Sequence, residues 1–94
     1  MDKRAKFDAM NKMQRELEDV KNSQTALLKK ITQLEAENIN VGVGLLDKAL
    51  PEIHEHADNT IEVASQLIED LQKHIEDFAK KNNLNAVEEP VSAK

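Results

Sequence analysis

The stretch Met10-Asn-Lys-Met13-Gln-Arg-Glu-Leu17-Glu-Asp-Val20-Lys-Asn-Ser-Gln24-Thr-Ala-Leu27-Leu-Lys-Lys-Ile31-Thr-Gln-Leu34 decides the fold. Its apolar residues recur at alternating spacings of three and four, with Gln24 as the one polar interruption. A helix turns once in about 3.6 residues, so this spacing lays the side chains in one stripe along one face. It is the a/d pattern of a coiled coil. Met10, Leu17, Gln24, Ile31 and Asn38 occupy a positions, and Met13, Val20, Leu27 and Leu34 occupy d positions. The pattern resumes as Ala57, Ile61, Ala64, Ile68, Leu71, Ile75 and Phe78. These sixteen residues form the expected oligomer seam.

Between the two runs lies Asn40-Val-Gly-Val-Gly44, which holds both glycines of the chain. Each glycine costs a helix interior about 1 kcal/mol, so this segment reads as a turn. The heptad register also continues through Val41 and Leu45, which leaves one continuous helix as the alternative. The expected architecture is all-α, with two long helices forming an antiparallel coiled-coil hairpin that assembles into a helical bundle oligomer. Expected boundaries are a helix over 2–39, a turn over 40–44 and a helix over 45–82. Asp2 is placed to cap the start. Pro51 predicts a break or kink in the second helix, because proline biases Leu50 away from the α conformation. Asn59 with Glu62 has the form of a capping box, but the register runs on through Ala57, Ile61 and Ala64. Residues 83–94, with Pro90 and no apolar period, read as a flexible tail.

A turn centred near Gly42 brings Phe7 level with Phe78. It also sets Arg15 opposite Glu69 and Asp70, and Lys29 and Lys30 opposite Glu55. Two helices alone bury little, and Leu28, Leu46, Ile53 and Leu67 lie beside the seam where a lone hairpin leaves them partly wet. Dimerisation into a four-helix bundle covers them. Polar residues at a positions, here Gln24 and Asn38, select register or oligomer number where they are buried. Otherwise they face solvent.

Composition narrows the function. The 94 residues are 33% charged and 39% hydrophobic, with no Cys, Trp or Tyr and only Phe7 and Phe78 as aromatics. Thiol chemistry and Cys-ligated metal are excluded. Stacking pockets for bases or sugars lack their usual rings. No apolar run reaches the roughly 18 residues of a membrane span, and no secretory leader is read at the start. The expected location is cytoplasmic. Net charge is −5. Residues 1–39 carry eight Lys/Arg against seven Asp/Glu, and residues 40–94 carry five against eleven. An acidic chain without a broad basic face is a poor match for nucleic acid. The basic cluster Lys3, Arg4, Lys6, Lys12 and Arg15 could touch phosphate, but ion pairing with the acidic second helix is the stronger expectation.

Catalysis finds no support: Gly42-Val-Gly44 lacks phosphate-loop spacing, and the adjacent carboxylates diverge on a helix. Pro51-Glu-Ile-His-Glu-His-Ala-Asp58 invites a metal reading. His54 with Asp58, and Glu52 with His56, have helical i,i+4 spacing. Each pair supplies two ligands where zinc takes three or four, so a solvated helix face is expected instead. His74 at a g position is a candidate pH-sensitive seam residue. No cofactor is expected.

In size and plan, with Val41-Gly42-Val43-Gly44 at the midpoint, the chain resembles the WXG100 family of secreted helical hairpins. It has neither the Trp of that family's motif nor its C-terminal Tyr-x-x-x-Asp/Glu signal. That resemblance implies export as a hairpin. Ser23-Gln-Thr-Ala-Leu-Leu-Lys-Lys-Ile31 and Ile53-His-Glu-His-Ala-Asp58 are similar to stretches of the Rop family, which implies an oligomer that binds RNA on one face. The reading from the residues themselves is a non-catalytic protein that binds itself and another protein, as an adaptor, regulator or assembly component; the alternatives are a secreted helical hairpin and an oligomer that binds a nucleotide or RNA between subunits.

Overall fold

The computed structural model describes residues 1–84 of the chain. The tail expected over 83–94 therefore falls outside the described residues, apart from its first two. Helix α1 spans Lys3–Val41 and helix α2 spans Gly44–Lys81. They pack antiparallel as a hairpin about 60 Å long, and the described residues contain no strand.

Each helix end has an identifiable stop. Asp2 sits in extended conformation, and its carboxylate accepts a hydrogen bond from the Ala5 N–H at 2.7 Å. This satisfies one of the amides that a helix start leaves unpaired. α1 ends at Gly42, whose φ of 72° is left-handed and whose N–H bonds back to the Asn38 carbonyl at 2.7 Å. Only a residue without Cβ adopts that conformation at little cost. α2 ends differently. Asn83 takes φ 54°, and the Leu84 N–H reaches the Ala79 carbonyl at 2.8 Å. This is the Schellman closure, with Leu84 folded against the apolar cluster beneath it.

The turn is shorter than expected. Only Gly42 and Val43 lie between the helices, and α1 runs two residues past the expected end. Nothing at Asn40 or Val41 forbids helix, so the helix persists to the glycine that permits reversal. Gly44 is already the first helical residue of α2. The alternative of one continuous helix is thereby settled in favour of a hairpin.

Pro51 does not end α2, which continues through it. Proline removes one N–H, the one that would bond to the Asp47 carbonyl, and disfavours helix at Leu50. Leu50 is nonetheless helical and buried against Ile31 and Ala57. Packing of the residue before the proline outweighs its local bias.

Two apolar clusters hold the pair together. At the open end Phe7, Met10, Ile75 and Ala79 are buried, with Leu71, Phe78 and Leu84 against them. Phe7 and Phe78 are thus level, as a turn near Gly42 requires. Near the turn Ile31, Leu50 and Ala57 are buried, with Leu28 alongside. The middle is thinner: Ala64 is buried, while Leu17, Gln24, Ile61 and Ile68 are half-buried.

Candidate interaction surface

Which residues of each heptad face the other helix decides what is left outside. On α1 the a residues Met10, Ile31 and Asn38 are buried and Leu17 and Gln24 half-buried. The e residues follow them inward: Phe7 is buried, and Gln14, Lys21, Leu28 and Glu35 are half-buried. The d residues do not. Met13, Val20, Leu27 and Leu34 remain 40–49% exposed, one every seventh residue. On α2 the inward rows are Leu50, Ala57, Ala64, Leu71 and Phe78 with Ile61, Ile68 and Ile75. The neighbouring g row contains Leu46, Ile53 and Leu67, 38–47% exposed, with Thr60 and His74 in the same row.

The two exposed rows lie on one side of the hairpin. Successive residues rotate by about 100°, so the d row of α1 and the g row of α2 flank their respective contact lines in the same sense. In an antiparallel pair these flanks face the same way. Leu17 shows it directly. It borders a shallow groove of about 300 Å³ with Met13, Val20 and Leu71, and another of about 350 Å³ with Thr60, Val63 and Leu67. Val63 extends the α2 side and is itself largely exposed. The result is an apolar strip along one face, rimmed by Glu16 and His56. Scattered exposed apolar residues are ordinary on a surface; two parallel rows at heptad spacing are not scattered.

Polar contacts between the helices fix the register. The Gln14 amide donates to the Gln72 side-chain oxygen at 2.7 Å, and His54 Nδ1 lies 2.9 Å from Glu35 Oε1. Asn38 does most. It is 4% exposed, and its Oδ1 accepts from the Val43 N–H at 2.9 Å. Its Nδ2 donates to the Val43 carbonyl at 3.0 Å and to Asp47 Oδ1 at 2.7 Å. The polar a residue is therefore the clamp of the turn, and its hydrogen bonds close within its own chain. The a position of Asn38 marks it only as a seam residue; the signal for the clamp is its spacing of five residues from Val43, across the glycine that reverses the chain.

The expected charge pairs do not form. Arg15 with Glu69 or Asp70, and Lys29 or Lys30 with Glu55, make no ion pair within 4 Å. All six lie on outer, exposed helix faces, where residues at one level on the two helices do not face each other. Arg4 and Lys6 instead lie over the rings of Phe7 and Phe78, at 5.8 and 5.4 Å from the centroids. Such contacts are worth about 0.5–1 kcal/mol at exposed sites.

The histidines separate. His54 contacts Glu35 on the other helix, and His56 lies 3.8 Å from Glu52 on its own helix. Among the described residues no three His, Asp or Glu side chains converge on a common point, Asp58 included. His74 is exposed. No described helix is long and apolar enough to cross a membrane. No protein-family model, curated protein or solved structure matches the chain.

Proposed function

We propose that this protein is a non-catalytic association module, and that the apolar strip is where it works. The observation that carries the reading is the pair of exposed heptad rows, Met13, Val20, Leu27 and Leu34 on α1 with Leu46, Ile53 and Leu67 on α2. Heptad repetition at the surface fits another pair of helices, because only a helix presents side chains at the matching interval. A second copy of the chain meets that requirement and makes a four-helix bundle. The polar rows on the outer faces then remain in water. Catalysis has no part in this reading, since the grooves are shallow and lined mainly by aliphatic side chains.

Thermal unfolding followed by circular dichroism over a range of protein concentrations tests the reading. A self-associating chain melts at higher temperature as concentration rises, because association stabilises the folded form by mass action. A midpoint independent of concentration, with full helicity, contradicts it.

A further inference from the structure

The strip has a direction, and so does the charge. The fifteen residues at each open end, 1–15 and 70–84, contain eight Lys/Arg and five Asp/Glu, a net of +3. The remainder up to the turn, residues 16–69, contains four Lys/Arg and eleven Asp/Glu, a net of −7. The hairpin is thus positive at its open end and negative along its middle and turn. Two copies stacked strip to strip in the same direction set like charge on like charge along their whole length. Stacked in opposite directions, each positive end lies against the other copy's negative half.

We infer that the strip is occupied by a second copy of this chain running antiparallel, with the two-fold axis crossing near Thr60. The inference rests on the self-association proposed above and adds its geometry. An in-plane axis perpendicular to the helices lays α1 on α1 and α2 on α2. With the axis midway along the α1 row, Met13 meets Leu34 of the partner subunit and Val20 meets Leu27 of the partner subunit. The Gln14–Gln72 contact sets that axis about two residues past Thr60 on α2, so Thr60 lies close to Thr60 of the partner subunit and Ile53 lies about one turn from Leu67 of the partner subunit. The α1 row is symmetric about this axis and the α2 row approximately so, with Leu46 toward His74 of the partner subunit. The rim agrees. Glu16 borders the strip beside Met13 and Val20. Lys30 occupies the same heptad position two heptads later, and neither makes an ion pair among the described residues. The antiparallel stack brings Glu16 level with Lys30 of the partner subunit, twice per dimer. The parallel stack brings Glu16 level with Asp70 of the partner subunit instead.

The size is adequate. Each row extends over 21 residues, about 30 Å at 1.5 Å per residue, on a body 23 Å wide. That face is on the order of 700 Å², close to the roughly 800 Å² per partner of stable interfaces.

A single spin label resolves the direction. The chain has no cysteine, so Asn40→Cys, exposed beside the turn, takes one label per copy. In the antiparallel dimer the two labels lie about 45–50 Å apart, from the rise of 1.5 Å per residue over some sixteen residues on each side of the axis. A dipolar distance near that value supports the inference. A distance below about 25 Å overturns it and leaves self-association standing, since a parallel dimer places the two turns together. A monomeric mass by light scattering with no dipolar coupling overturns both. The rim supplies an independent check on association affinity. Glu16→Lys weakens an antiparallel dimer by roughly threefold to tenfold, and adding Lys30→Glu restores it. In a parallel dimer Glu16→Lys strengthens association instead.

Discussion

The inner and outer apolar rows of this hairpin are written in the same alphabet and at the same interval, yet only one is closed by the chain itself. The inner rows bury Met10, Ile31, Leu50, Ala57 and Ile75 to 5% exposure or less. The outer rows, from Met13 to Leu34 and from Leu46 to Leu67, keep 38–49% of their surface in water. The difference teaches that heptad spacing counts how many apolar faces a helix has, without saying which partner covers each. A single helix–helix contact needs one narrow line of residues. α1 carries three usable rows, a, d and e, and the hairpin consumes a and e.

Breaking the inner side should have the largest effect. Ile31→Ala or Ile75→Ala removes a buried side chain from one of the two clusters and should cost about 2–5 kcal/mol. A lower urea midpoint at every protein concentration checks it. On the outer side, Leu27→Lys combined with Leu67→Lys should weaken association by roughly a hundredfold or more, because two charges per copy enter an apolar contact. Light scattering should then show the monomer, with the helical circular-dichroism signal largely kept at low temperature. If the double variant loses its helix content as a monomer, inner and outer rows are not separable in the way described.

Smaller changes sharpen the contrast at the turn. Asn38→Ala leaves the Val43 N–H without its side-chain acceptor and removes the donor to Asp47. It should cost about 1–3 kcal/mol in chemical unfolding. The two glycines should respond with opposite signs. Gly42→Ala meets no neighbouring atom but must hold φ 72°, so it should cost about 1 kcal/mol. Gly44→Ala, also unobstructed and already helical, should add about 0.5–1 kcal/mol of stability. Paired thermal melts of these two variants check both signs. The smallest effect belongs to Glu35→Gln, which keeps a hydrogen-bond acceptor near His54. At a half-buried contact that keeps its hydrogen bond, the cost should stay below about 1 kcal/mol.

The helices and their reversal are legible in the chain because their causes are local: a 3-4 period, strong helix formers, and glycine at the one point that needs a left-handed backbone. What could not be read locally depended on rotation about the helix axis. Leu28 at an e position showed a widened stripe, but the choice of a and e over a and d also involves Phe7, whose burial rests on Ile75 and Ala79 far along the chain. The expected ion pairs failed because residues at one level need not face each other: Arg15 and Lys29 sit at f positions, on the outer side of α1 for either contact line, and the rotation toward e carries Lys30 outward as well. At Pro51 the local bias is real, yet α2 runs through it without a break, with Leu50 helical and buried. Leu46, Ile53 and Leu67 were legible as the exposed flank of α2. Their counterpart row on α1 was not, because the sequence presents it as part of the seam.

Sedimentation equilibrium of the native chain puts the central claim to its most direct test. The account predicts a species of twice the 10.6 kDa chain mass that dissociates on dilution and is lost with Leu27→Lys and Leu67→Lys. A fully helical chain that sediments at 10.6 kDa across the accessible concentration range would contradict it.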